Sequence, residues 1–145
     1  MNAIAPQVGD RMPVLEKTAG PADLVAYAGA TWDWHRMHYD VEFAASKKLP
    51  APIVDGQEYG AWFVQALQDW LGPRCFVRTL EFSFRSLMFA HETMRCEGVV
   101  TGVEGDEVTV DLTGTVVGRD GAADRVACAP ATAVVLLGTA DGPAR

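Results

Sequence analysis

Between Asp55 and Gly72 the apolar positions fall at Tyr59, Trp62, Phe63, Ala66, Leu67 and Trp70. This three-and-four spacing gathers side chains on one face of a helix, and Val64 and Leu71 widen the stripe. Asp55 and Glu58 form a D-x-x-E start resembling a capping box, and Gly72-Pro73 stop the pattern. A face this broad predicts a helix largely wrapped by the rest of the chain. Beyond residue 75 the period drops to two. Leu80, Phe82 and Phe84 alternate with Thr79, Glu81, Ser83 and Arg85, as a half-buried strand requires. Further strands are predicted over residues 93–103, 107–117 and 124–137, separated by Glu104-Gly105-Asp106 and Arg119-Asp120-Gly121, both suited to hairpin turns. Together these strands form an antiparallel meander.

Upstream, Pro21 opens a short helical pattern through Leu24, Val25, Tyr27 and Ala28, in keeping with proline at a first helical position. Asp40 is placed to cap VEFAASKK, with Glu42 in its first turn and Lys47 and Lys48 in its last, before Pro50 and Pro52 end it. Residues 33–39 are then a connector between two short helices, a place where side chains are presented. One long apolar helix with an antiparallel sheet is an α+β layout in which the sheet curls around the helix. A single small sheet leaves edges, so a partner chain is expected to cover one of them. The domain is assigned to residues 1–138, with TADGPAR, residues 139–145, as a flexible tail.

Composition narrows the function classes. A chain of 145 residues supports one core. Twelve basic against nineteen acidic side chains give a net charge of -7, the wrong sign for neutralising nucleic-acid phosphates. A few arginines still suffice for a local patch that binds an anionic small molecule. Cys75, Cys96 and Cys128 form no CxxC, which suits a reducing cytoplasm better than a disulfide framework or a zinc site. The N-terminus lacks the basic start and apolar run of a signal peptide, and AVVLL is far short of a membrane span. A cytoplasmic protein bound to neither membrane nor nucleic acid is expected. No Gly-rich phosphate loop, nucleophile elbow or metal-ligand spacing appears, so neither cofactor nor metal is expected.

TWDWHRMHYD, residues 31–40, crowds two histidines, two aspartates, two tryptophans, an arginine and a tyrosine into the connector. Trp32-Asp33-Trp34-His35-Arg36-Met37-His38 is followed by FAAS and then by Ile53-Val54-Asp55-Gly56 at the helix start. This order resembles the signature of the MaoC-like, (R)-specific enoyl-CoA hydratase family, whose motif runs roughly Gly-Asp-x-Asn-Pro-aliphatic-His and ends in His-Gly at the central helix. LEFSFRSLMFAHETMRCEGVV resembles that family's strand-turn-strand, and the resemblance spans about residues 8 to 138. It implies a hot-dog fold, and it puts the family's catalytic aspartate and histidine on Asp33 and His38. Three departures stand out: Trp32 replaces glycine, His35 and Arg36 replace Asn-Pro, and Asp55 stands where the family has histidine. They suggest a divergent branch similar to small MaoC-like subunits that pair with a second hot-dog chain to hydrate bulky, steroid-like CoA thioesters in lipid or steroid degradation.

Hydrating an enoyl thioester needs a gripped water, a proton acceptor, a proton donor to the α-carbon, and donors for the developing enolate oxygen. Asp33 and His38 are the right types to hold one water between them, with the proton assigned to the pair. The N–H of Gly56, at the positive end of the long helix and free of a side chain, suits the enolate. Asp55 would repel that charge unless it turns to cap the helix. Trp34 and Tyr59 are candidate acyl-pocket walls, and Arg36 and Arg85 lead the candidate partners for the CoA phosphates, with Lys47, Lys48 and Arg95 also available. The expected activity is cofactor-free hydration or dehydration of an acyl-CoA thioester by a homodimer, or by a heteromer with a second hot-dog chain. The alternatives are a hot-dog thioesterase and a non-catalytic subunit supporting a catalytic partner.

Overall fold

The computed structural model describes residues 5–138, so the tail expected over residues 139–145 lies outside the described residues. The long helix, α3, runs Gly56–Leu71 with Asp55 as its N-cap and Gly72 as its C-cap. Gly72 takes a φ of 94°, a left-handed backbone that favours glycine and ends the helix. Tyr59, Trp62, Phe63, Ala66 and Leu67 are all buried, as the stripe predicts, while Gln57, Ala61, Gln65, Gln68 and Asp69 face solvent.

Two helices precede it, α1 at Pro21–Thr31 and α2 at Val41–Ser46. Asp40 caps α2 by accepting from Phe43 N at 2.9 Å. This helix is shorter than its charge pattern predicted: Lys47 is its C-cap and Lys48, at φ 61°, lies beyond it.

Among the described residues there are also five strands: β1 (Leu15–Thr18), β2 (Phe76–Phe84), β3 (Thr93–Glu104), β4 (Glu107–Val116) and β5 (Arg125–Leu136). All neighbouring pairs are antiparallel, in the order β1-β3-β4-β5-β2. The expected meander therefore holds for β3, β4 and β5 and fails for β2, which lies beyond β5 rather than beside β3. Alternation reveals which face of a strand is buried; it carries no information on which strand lies beside it. β1 was not foreseen, because four residues reading LEKT are too few to establish a period.

β3, β4 and β5 bury Met94, Cys96, Val100, Val108, Val110, Leu112, Ala133 and Val135 in the same cluster as α3. β2 is held against α3 by two close approaches. A Cβ on Gly56 would meet Phe84 Cε1 at 2.6 Å, and one on Gly60 would meet Phe82 Cε1 at 2.9 Å. Glycines one turn apart thus let two aromatic rings of β2 seat on the helix. β2 is also an open edge, and Phe76 and Phe84 on it are largely exposed.

Candidate active site

The connector folds into a compact turn because its own side chains satisfy its backbone. Trp32 caps α1 in the left-handed region at φ 62°, which reverses the chain. Asp33 Oδ1 then accepts from His35 N at 3.1 Å. His35 Nδ1 accepts from Met37 N at 3.2 Å and so starts a short 3-10 turn over Arg36–His38. The role of His35 is therefore local: it sets the turn that presents His38.

His38 is fixed from the other side. Its Nδ1 lies 2.9 Å from the carbonyl oxygen of Ile53. A carbonyl only accepts, so Nδ1 carries the hydrogen, and the neutral ring keeps its lone pair on Nε2. The segment carrying that carbonyl is itself anchored: Ile53 N donates to Met37 O at 2.9 Å and Val54 N to Met88 O at 2.9 Å. The connector and the entrance to α3 are thus stitched together.

Between them lies a shallow open cleft lined by Leu24, Tyr27, Ala28, Asp33, His38, Asp55 and Glu58. Asp33 and His38 do share it. Spacing gave no hint of a metal-ligand cluster, yet one ligating atom from each of Asp33, His38 and Asp55 lies within 4.8 Å of the other two. Asp33 and His38 come from the connector and Asp55 from the start of α3, two segments that only the fold brings together. Asp55 caps α3 as expected, its Oδ1 accepting from Gln57 N at 2.9 Å. Contrary to the expectation that capping would turn it away, it still lines the cleft.

Glu58 is the residue sequence reasoning missed. Read as a cap, it is instead buried at 7% exposure, and its Oε2 has no hydrogen-bond partner. The signal was available: Glu58 is one turn before Trp62, on the apolar stripe itself. Burial, with Asp23 and Asp55 adding to it against Lys17, pushes its carboxyl up to about 7. Burial and the carboxylates of Asp55 and Glu58 also raise the phenol of Tyr27.

The four residues expected to bind substrate do not line this cleft. Tyr59 is a core residue, 2% exposed, its hydroxyl accepting from Met88 N at 3.0 Å. Arg36 is held by Asp40 at 2.7 Å and lies over the Phe43 ring. Arg85 donates through Nε to the carbonyl of Ala129. Trp34 is exposed and packs edge-on against Trp32 and Tyr39. Arg95 is likewise paired, with Glu16 and Asp124.

Gly56 is the first residue of α3, where a backbone N–H has no acceptor within the helix. The exposed ring of Phe84 covers its α-carbon.

Known proteins resemble this chain in sequence and in fold. A family profile described as "MaoC like domain" covers residues 5–120. The chain is 28% identical over 119 residues to the 3-oxo-4,17-pregnadiene-20-carboxyl-CoA hydratase beta subunit of Mycobacterium tuberculosis, spanning 82% of this chain and 89% of that protein. It is also 28% identical over 123 residues to the (R)-specific enoyl-CoA hydratase of Aeromonas caviae, spanning 84% and 91% of the two chains. The solved (R)-hydratase of A. caviae, involved in PHA biosynthesis, superposes with a TM-score of 0.81 at 26% identity, over 92% of this chain and 98% of that one. The shared architecture is the hot-dog fold that the sequence led us to expect.

Proposed function

Because this chain belongs to the MaoC-like dehydratase family, we propose that it hydrates a trans-2-enoyl thioester, or dehydrates the matching 3-hydroxyacyl thioester, at the cleft between the connector and α3. The observation that carries this is the pairing of Asp33 with His38 in one cleft, the imidazole fixed with its Nε2 lone pair free. A water held between the Asp33 carboxylate and Nε2 is poised to add its oxygen to the β-carbon. The pair takes one proton from that water and returns one to the α-carbon, so the step balances without a cofactor. As the α-carbanion develops, charge moves onto the thioester oxygen. The Gly56 N–H at the positive end of α3 meets it, an interaction of a kind worth about 3 kcal/mol to a transition state.

Three carboxylates near that charge would oppose it if all were ionised. A Glu58 that holds its proton near neutral pH removes one of them from the balance. Asp55 gives one oxygen to the cap and so spends part of its charge on Gln57 N.

A thioester of CoA is the favoured substrate, since both named relatives act on CoA thioesters. The cleft is shallow and open, with almost no enclosed volume of its own, where small-molecule sites commonly enclose about 300 Å³ or more. The rest of the acyl pocket then comes from a second hot-dog chain, identical or related, seated beside the open β2 edge, where Phe84 adjoins Gly56. Similarity to a protein named as a hydratase beta subunit supports a related chain as that partner.

The test is loss of enoyl absorbance when the purified chain is given trans-2-enoyl-CoA thioesters from short and linear to large and ringed, with release of CoA thiol followed in parallel. Hydration without thiol release is the expected result. Thiol release with no loss of the enoyl would make the chain a thioesterase and overturn the proposal.

A further inference from the structure

We propose that Asp33, His38 and Asp55 form a binding site for a divalent transition-metal ion of the zinc class. The inference goes beyond the hydratase assignment and needs no substrate.

The three side chains are arranged as ligands are. Each has one polar atom engaged by the backbone and another left over: Asp33 Oδ1 accepts from His35 N, Asp55 Oδ1 accepts from Gln57 N, and His38 Nδ1 donates to Ile53 O. This is how an outer shell fixes ring tautomer and carboxylate orientation around a metal. One ligating atom of each lies within 4.8 Å of the others, whereas ligands at zinc bond lengths in a tetrahedral site are roughly 3.4 Å apart. Asp33, exposed on the connector, is the ligand free to close that gap.

A second observation is independent of those three residues. Glu58 lines the same cleft, is 93% buried by its 7% exposure, and offers an Oε2 with no hydrogen-bond partner. A buried carboxylate oxygen without a hydrogen-bond partner, under the influence of Asp23 and Asp55, calls for a positive charge or a proton. No lysine or arginine lines the cleft, and Lys17, the nearest cationic influence on Glu58, donates to Gln65. In the metal-free chain a proton meets that need, and a divalent ion held by Asp33, His38 and Asp55 would supply the charge in its place. One imidazole with carboxylates suits zinc-like ions better than calcium or magnesium, which prefer all-oxygen shells. Three protein ligands leave a fourth position open. The ion would occupy the space that hydration assigns to water, so metal and turnover are mutually exclusive.

The experiment is calorimetric titration of the chelator-stripped full chain with zinc chloride, together with the visible absorption of the cobalt(II) form. One ion per chain is expected, weakened at least about tenfold in Asp55→Asn and in His38→Ala and unchanged in Asp69→Asn on the outer face of α3. Asparagine still caps a helix, so Asp55→Asn should keep its fold, and circular dichroism checks this. Asp33→Asn replaces His38→Ala if that variant unfolds. Absence of zinc binding, binding indifferent to these substitutions, or a sulfur-to-cobalt charge-transfer band would each overturn the proposal. None of these outcomes bears on hydration, which is read from enoyl absorbance in the stripped chain.

Discussion

Replacing Glu58 with glutamine should make the protein more stable at alkaline pH and leave it little changed at acid pH. The carboxyl titrates near 4.5 when free and at about 7 in the folded chain. Below 4.5 both states hold the proton and burial costs nothing in charge. As pH rises from there the unfolded chain releases the proton first, so stability falls, and the loss levels off once pH passes the folded value near 7. An undiminished shift would amount to roughly 3 kcal/mol at about 1.4 kcal/mol per pH unit. The cleft is open to solvent, which screens the neighbouring carboxylates, so about 2 kcal/mol is the better expectation. Glutamine matches the shape of the neutral acid and cannot ionise. Urea unfolding of both proteins between pH 4 and pH 8.5, followed by circular dichroism, measures the difference. The variant should gain about 2 kcal/mol on the wild type across that range. A difference constant within about 0.5 kcal/mol would mean that Glu58 ionises normally in the folded state, refuting both its burial and its protonation.

Two further substitutions separate core from site. Tyr59→Phe removes the acceptor for Met88 N and strands a buried donor, costing about 1–3 kcal/mol in urea midpoint analysis. Hydration rates in that variant should stay within about threefold of wild type if Tyr59 does not touch substrate. Gly56→Ala sets a Cβ 2.6 Å from Phe84 Cε1. Because that ring is exposed and can swing aside, the stability loss should stay near 1 kcal/mol, while enoyl-CoA turnover should fall by about tenfold or more as the displaced ring or methyl crowds the Gly56 N–H.

Much of the architecture was legible in the sequence because its signals are local and periodic. The stripe from Tyr59 to Trp70 marks α3, and the alternation and turn glycines mark β3, β4 and β5 to within a residue or so. The placement of β2 beside β5 was not, since strand pairing is decided by packing against α3 at Gly56 and Gly60. The site divides in the same way. Asp33 and His38 sit five positions apart, and a known motif joins them. Asp55 and Glu58 enter the cleft only because α3 and the connector are tied through Ile53 and Met37. Tyr27 comes from α1, with no sequence signal at all. Arg36 and Arg85 drew notice as phosphate partners on charge alone, and charge does not say whether a guanidinium is already spoken for by Asp40 or by the carbonyl of Ala129.

The most direct test of the hydratase mechanism compares trans-2-enoyl-CoA hydration by the wild-type chain with Asp33→Asn and His38→Ala under identical conditions, circular dichroism verifying each fold. Turnover by the wild type that drops roughly two to four orders of magnitude in each folded variant is the predicted result. Rates within about threefold of wild type in both variants would contradict the assignment of water activation to Asp33 and His38.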